Sequence, residues 1–173
     1  GITVSDWINK ADKKEIMDVL YTFGDENHGK LISEAIISHR EKYLIDTTSK
    51  LAKIIEEIYP DKKTKIHPAT QSFQAFRIFI NNELDEFKKS LQSAKKIIKT
   101  NGIIVTIAFH SLEDNIIKNF FKPSIKSFPK DIPLNNEQES FFDCIAKKLR
   151  PSDFEIKNNP RSRSAIMRVF KKL

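Results

Sequence analysis

Ile103-Ile104-Val105-Thr106-Ile107-Ala108-Phe109-His110-Ser111-Leu112-Glu113-Asp114 is the stretch that decides how this chain is read. Residues 103–109 are apolar or β-branched without a polar break, the pattern of a strand buried on both faces. A polar cluster follows, and then Ile116, Ile117, Phe120 and Phe121 recur at helical spacing. The unit is strand, turn, helix. In open α/β sheets ligands sit beyond the carboxyl ends of the strands, where His110, Ser111, Glu113 and Asp114 fall. Ser111 and Asp114, three residues apart, also resemble a capping box with Asp in place of Glu. The two readings are compatible, because a capped helix start can also hold a ligand.

Upstream, Pro68 biases His67 towards extended geometry and Thr70 is placed to cap a helix. That helix puts Phe73, Phe76, Ile80, Leu84, Phe87, Leu91, Ala94 and Ile98 on one stripe until Asn101-Gly102 ends it. A long amphipathic helix delivering into a buried strand is the second half of a crossover connection. The strand that opens such a crossover is not in this sequence. Residues 1–60 read as four helices. The first is short, around Trp7; the second opens at Asp12-Lys13-Lys14-Glu15, carries Ile16, Val19, Leu20 and Phe23, and stops at Gly24. The third carries Leu31, Ile32, Ala35 and Ile36 to near Tyr43. The fourth is capped by Thr47 or Thr48 and carries Leu51, Ile54, Ile55 and Ile58 before Pro60.

Downstream, the Pro-, Lys- and Asn-rich residues 123–136 read as a surface loop, and 139–149 mix apolar and basic residues without a clear period. Residues 154–157 alternate like a short strand, 158–161 read as a turn, and 164–170 as a closing strand. None of the four glycines forms a G-x-G-x-x-G loop. No metal site is expected, since neither His28 nor His39 has a second ligand at metal-site spacing.

At 173 residues the chain has the size of one ordinary domain, or of a small domain and part of another. The single cysteine, Cys144, excludes an intrachain disulfide and fits a reducing, cytoplasmic setting. No apolar run approaches the ~20 residues that cross a bilayer. The opening Gly1-Ile2-Thr3-Val4 has neither an initiator Met nor a signal-peptide pattern, as expected of a fragment. The formal charge of +7 is unevenly placed. Residues 144–173 hold nine Lys and Arg against two acids, so the rest of the chain sums to zero. A concentrated basic segment favours a polyanionic partner, most often nucleic acid.

Five motifs occur in order: His67-Pro68-Ala69-Thr70, Phe73-Gln74-Ala75, Asn81-Asn82-Glu83-Leu84, Phe109-His110-Ser111-Leu112-Glu113-Asp114 and Asn159-Pro160-Arg161-Ser162-Arg163-Ser164-Ala165. Together they closely resemble the MraW/RsmH family, bacterial methyltransferases that act on a cytidine of small-subunit ribosomal RNA. Tyr21-Thr22-Phe23-Gly24-Asp25-Glu26 is similar to a short motif of that family's helical insertion. Gln71 and Asn115 stand where the family pattern has arginine, and Asp25 where it has glutamate.

The resemblance implies an α/β fold: the C-terminal half of a Rossmann-like methyltransferase sheet, with an all-helical insertion domain. On that map residues 1–65 are the insertion and 66–173 the C-terminal part of the catalytic domain. It implies S-adenosyl-L-methionine as cofactor, bound in an N-terminal part absent from this sequence, so no cofactor-binding residue carries over. The implied reaction is N4-methylation of a cytidine near the decoding centre, with the chain inactive alone. Ribosomal RNA or a ribosomal particle is the implied partner. Self-association, or pairing with the missing half, is expected through an open sheet edge. His110, Ser111, Glu113 and Asp114 are the candidates for orienting the target base or the neighbouring catalytic loop. Asn159, Arg161 and Arg163, with His67 and Glu83 at the rim, are the candidate RNA contacts. The alternative is a non-catalytic RNA-binding or ribosome-associated module.

Overall fold

Residues 1–59, 67–122 and 141–173 are described by the computed structural model, and the chain divides into two units, Gly1–Glu83 and Leu84–Leu173. The expected loop at 123–136 and the stop at Pro60 lie outside the described residues.

The first unit is helical: α1 (Val4–Ile8), α2 (Lys13–Gly24), α3 (Gly29–Arg40), α4 (Thr48–Glu56) and α5 (Thr70–Ile80). Their apolar stripes meet in a core that includes Trp7, Ile8, Ile16, Leu20, Ile32, Ile36, Ile55 and Phe76. Thr47 caps α4, accepting from the Lys50 N–H at 3.3 Å. Asp12 caps α2 through the Glu15 N–H, while the Glu15 carboxylate turns away to take the Trp7 indole N–H at 2.6 Å. Helix α2 runs through Gly24 and is closed by Asp25 at φ 52°. Gly24 is required for packing, because a Cβ there would lie 2.8 Å from the Gln71 carbonyl oxygen on α5. This close approach of α2 to α5 packs α5 into the helical unit.

The single long helix expected over 70–98 is two. Helix α5 ends at Ile80, Asn82 takes the left-handed conformation at φ 50°, and α6 (Glu83–Ile97) restarts. The apolar stripe carries across the break, so periodicity alone hides it; Asn tolerates the left-handed region that the break requires. The α5 cap also differs, since Ala69 holds that position and Thr70 is already helical. The Ala69 N–H is satisfied by His67 Nδ1 at 3.2 Å.

The second unit contains a three-stranded antiparallel sheet in the order β1 (Ile103–Ala108), β3 (Ile166–Lys172), β2 (Phe142–Leu149). Helix α7 (Ser111–Phe120) follows β1, and a short α8 (Asp153–Asn158) with a 3-10 turn (Pro160–Ser164) links β2 to β3. One face of the sheet is covered, with Leu91, Ala108, Ile117, Phe121, Phe142 and Phe170 forming the core and the Phe121 and Phe170 rings stacked at 3.8 Å.

Three expectations change in this unit. Strand β1 is buried on one face only: Ile103, Val105 and Ile107 are 49%, 56% and 54% exposed. The unbroken apolar run predicted a cover on both sides, and among the described residues only one side has it. Residues 154–157 form helix α8 rather than a strand, because the Ser152 hydroxyl caps the turn by accepting the Glu155 N–H. That N-cap signal outweighs a four-residue alternation too short to define a period. The undecided 139–149 stretch contributes β2.

Candidate functional site

The turn between β1 and α7 is built from its own side chains. His110 has extended backbone angles and is the helix cap; Ser111, expected to cap, is the first helical residue. His110 Nδ1 accepts the Glu113 N–H at 3.4 Å, and a Glu113 carboxylate oxygen accepts the Phe109 N–H at 2.8 Å. This is a reciprocal cap displaced one residue towards the strand. An accepting Nδ1 carries no proton, which in a neutral ring corresponds to the Nε2–H tautomer. That Nε2 is buried without a hydrogen-bond partner, 3.5 Å from Glu113 Oε1 but outside bonding geometry. Ser111 is exposed beside it.

Asp114 faces inward and is 7% exposed. Arg168 on β3 grips both its oxygens, Nε at 2.7 Å and Nη2 at 3.0 Å, and Lys118 Nζ stands at 3.5 Å. Arg168 Nη1 also donates to the Lys147 carbonyl on β2, and the Thr106 hydroxyl on β1 donates to the Arg168 carbonyl. The guanidinium beside Asp114 holds its carboxyl below the usual aspartate range, and Asp114 in turn raises Arg168. The pair fastens the first turn of α7 to all three strands.

The sheet register gathers the remaining candidates. Ala108 pairs with Ile166 and Leu149 with Met167, so the carboxyl ends of β1 and β2 lie at the amino end of β3. The α8 and 3-10 segment joins β2 to β3 at this same end. Asn159 is its hinge: its N–H donates to Glu155 O at 2.7 Å, and its carbonyl accepts from the Ser162 N–H and hydroxyl. Arg163 Nη1 donates to Pro160 O at 3.3 Å and is otherwise exposed. Arg161 is exposed, with no ion pair or side-chain hydrogen bond among the described residues. One end of the sheet therefore carries His110, Ser111, Glu113 and Asp114 together with Asn159, Arg161 and Arg163. Its free guanidinium groups can hold phosphate oxygens.

His67 and Glu83 belong to the helical unit and are committed there. His67 Nε2 pairs with Glu56 Oε1 at 2.6 Å, and Glu83 takes Arg77 in a fork at 2.8 and 3.0 Å. Two polar residues of consequence lay outside the sequence candidates. Arg168 was counted with the basic segment, yet it shares the covered sheet face with Phe170, two residues on, where a cation needs a buried partner. Glu26 is 1% exposed and is bonded by the Tyr59 hydroxyl, by Ser72 Oγ at 3.1 Å and by the His28 N–H at 3.1 Å. Burial and the adjacent Glu26 push the Tyr59 phenol well above its ordinary value, so it remains a donor.

The turn after β1 is closed by His110 and Glu113 rather than by glycines, and no glycine has positive φ. No group of three or more His, Cys, Asp or Glu among the described residues is placed to hold a metal ion. No helix among them is long and apolar enough to cross a membrane.

The sequence model of the MraW methylase family matches residues 1–173. The chain is 42% identical over 181 residues to the ribosomal RNA small subunit methyltransferase H of Rickettsia bellii, covering 100% of this chain and 59% of the relative. It is 41% identical over 175 residues to the protein of that name in Coxiella burnetii, covering 100% and 57%. For the protein of that name in Stenotrophomonas maltophilia the identity is 41% over 175 residues, covering 99% and 54%. The chain thus spans less than two thirds of the length of these relatives.

Proposed function

The chain belongs to the MraW methylase family, and from that premise we propose that it is part of an S-adenosylmethionine-dependent methyltransferase acting on N4 of a cytidine of small-subunit ribosomal RNA. One observation carries the reading: the family match runs through every residue, and two of the matched motifs meet at one end of the sheet. The domain map proposed with it assigns 1–65 to the helical insertion and 66–173 to the C-terminal part of the catalytic domain.

The exocyclic amine of cytosine is a weak nucleophile, because its lone pair is delocalised into the ring. Catalysis then rests on holding that nitrogen in line with the methyl donor, where proximity and orientation supply most of the gain. Acceptors that take its N–H bonds help it pyramidalise. In this reading Arg161 and Arg163 hold backbone phosphates of unstacked RNA, with Asn159 setting the bend that presents them. His110, Ser111 and Glu113 orient the base or the adjoining catalytic loop, with Ser111 the exposed hydroxyl. Asp114 acts through position, since Arg168 occupies both its oxygens. His67 and Glu83 rim the RNA path from the helical unit.

The donor supplies an electrophilic methyl group. The turn after β1 is closed by side chains rather than glycines, which supports placing the donor site in the part of the relatives that this chain does not span. The chain by itself is accordingly proposed to be inactive, in a cytoplasmic protein whose partner is the ribosomal RNA or particle. The open edge of β1 pairs with that remaining part or, in its absence, with a second copy.

The test is methylation of small-subunit RNA or particles by the longer protein containing this chain, with the modified atom located by mass spectrometry. N4-methylcytidine is expected, together with donor binding by the longer protein and none by the 173-residue chain. Methyl transfer to another atom overturns the specificity. RNA binding without donor binding in the longer protein leaves the non-catalytic module.

A further inference from the structure

Phe154 is 77% exposed, the most exposed Phe, Tyr or Trp among the described residues. It sits in the first turn of α8, whose backbone the Ser152 cap fixes through the Glu155 N–H. Its ring makes no ring–ring or cation–π contact among the described residues. Ile156, the other apolar residue of α8, is half-buried, and the rest of the helix is exposed and polar. A single apolar side chain on a surface is ordinary. What sets this one apart is its surroundings.

Lys157 lies three residues on, on the same face of α8. Arg161 and Arg163 follow the Asn159 bend, on a 3-10 turn that packs against α8. Lys147, Lys148 and Arg150 precede the helix, and all six cations are exposed. None of them has an ion pair among the described residues. The acids of residues 147–163 are Asp153 and Glu155, and Glu155 Oε1 is turned to the end of its own helix, where it accepts from Asn159 Nδ2 at 3.4 Å. An acidic peptide would satisfy the cations and leave the ring idle. A lipid surface calls for a row of apolar side chains, and α8 exposes one. A single-stranded nucleic acid uses both features together, since every unit carries a flat π-face and a phosphate.

We propose that Phe154 is a stacking platform for one unpaired base of the RNA other than the target, with Lys157 and Arg161 holding the phosphates beside it. The proposal rests on the RNA-directed reading above and deepens it, adding a base contact where that reading has phosphate contacts. Stacking accepts any base, so this contact supplies affinity rather than sequence choice.

The test is the affinity of the longer protein containing this chain for oligouridylate and for an abasic strand of equal length, read by fluorescence anisotropy. Phe154→Leu keeps the apolar bulk and removes the aromatic face. It is expected to weaken oligouridylate binding about tenfold, with abasic-strand binding and melting unchanged, and Phe154→Tyr to keep wild-type affinity. Lys157→Gln and Arg161→Gln are expected to weaken both strands alike and to flatten the salt dependence. The proposal is overturned if Phe154→Leu weakens both strands equally, or neither. It is equally overturned if Phe154→Leu lowers the melting temperature of the longer protein, which would mean that polypeptide covers the ring. If the longer protein methylates small-subunit RNA or particles while Phe154→Leu leaves oligouridylate binding untouched, the platform falls and the RNA-directed reading stands.

Discussion

Among the described residues the helical unit and the sheet unit each bury one carboxylate, and they compensate it by opposite means. Glu26 is surrounded by neutral donors from three segments: the His28 N–H, the Tyr59 hydroxyl after α4 and the Ser72 hydroxyl on α5. Asp114 faces full positive charge, forked across both oxygens from Arg168, with Lys118 Nζ farther out at 3.5 Å. A cage of neutral donors specifies where three pieces of backbone meet, and each donor contributes modestly. An ion pair concentrates the compensation in one partner, so removing that partner exposes the whole desolvation cost. The surroundings differ in the same way. The helical core is closed around its stripes, whereas the sheet leaves one apolar face and one edge uncovered among the described residues.

The largest expected effect breaks the ion pair. Arg168→Met leaves Asp114 with only the longer, half-exposed Lys118 contact and is expected to cost about 3 kcal/mol in denaturant unfolding. Adding Asp114→Leu should recover most of that loss; no recovery would mean that Arg168 acts chiefly through its other contacts. Glu26→Gln is expected to cost less, about 1–3 kcal/mol, because the amide oxygen can keep the two donors on Oε1 while its NH2 meets the Ser72 hydroxyl. A loss as large as that of Arg168→Met would erase the contrast between cage and pair.

Acid sharpens it further. Arg168 lowers the folded-state pKa of Asp114 below the ordinary aspartate value of 3.8. The pair's stabilisation is therefore complete above that value and is lost as pH falls through the lower, folded one. Thermal melts from about pH 5 to pH 3 should fall more steeply for the wild type than for the Asp114→Leu, Arg168→Met double variant. Equal slopes would assign acid sensitivity to other groups. The smallest effect belongs to the open face, where Val105→Lys is expected to change stability by less than about 0.5 kcal/mol. A lysine at the fully buried Ile55 should prevent folding of the helical unit; a marked loss from Val105→Lys would show that the β1 face is covered after all.

Much of this was legible in the residues. The helical stripes, the Thr47 cap and the strand–turn–helix at 103–120 follow from local periodicity and capping chemistry, which a sequence carries explicitly. The break at Asn82 was hidden because the apolar stripe continues through it, and α8 because four residues fit two periods equally well. The candidate turn was legible by motif, but not the roles within it. That His110 rather than Ser111 caps the helix depends on backbone angles. That Asp114 is committed depends on Arg168, which lies 54 residues away. Pairings at such separation leave no local period, so Arg168 looked like one more surface cation.

The strand order has a consequence in time. Strand β3 is the last of the three in sequence and the middle one in space. Strand β1 must wait 58 residues, from Ala108 to Ile166, for its nearest paired neighbour, and 68 residues from Ile103 to Lys171 for its farthest. Loops of that length close slowly relative to helix formation, and synthesis proceeds from the amino end. The helical unit is complete while the sheet still lacks its centre. For that interval on the ribosome, the apolar run of β1 lacks β3, the strand it pairs with among the described residues, and stays exposed on that side.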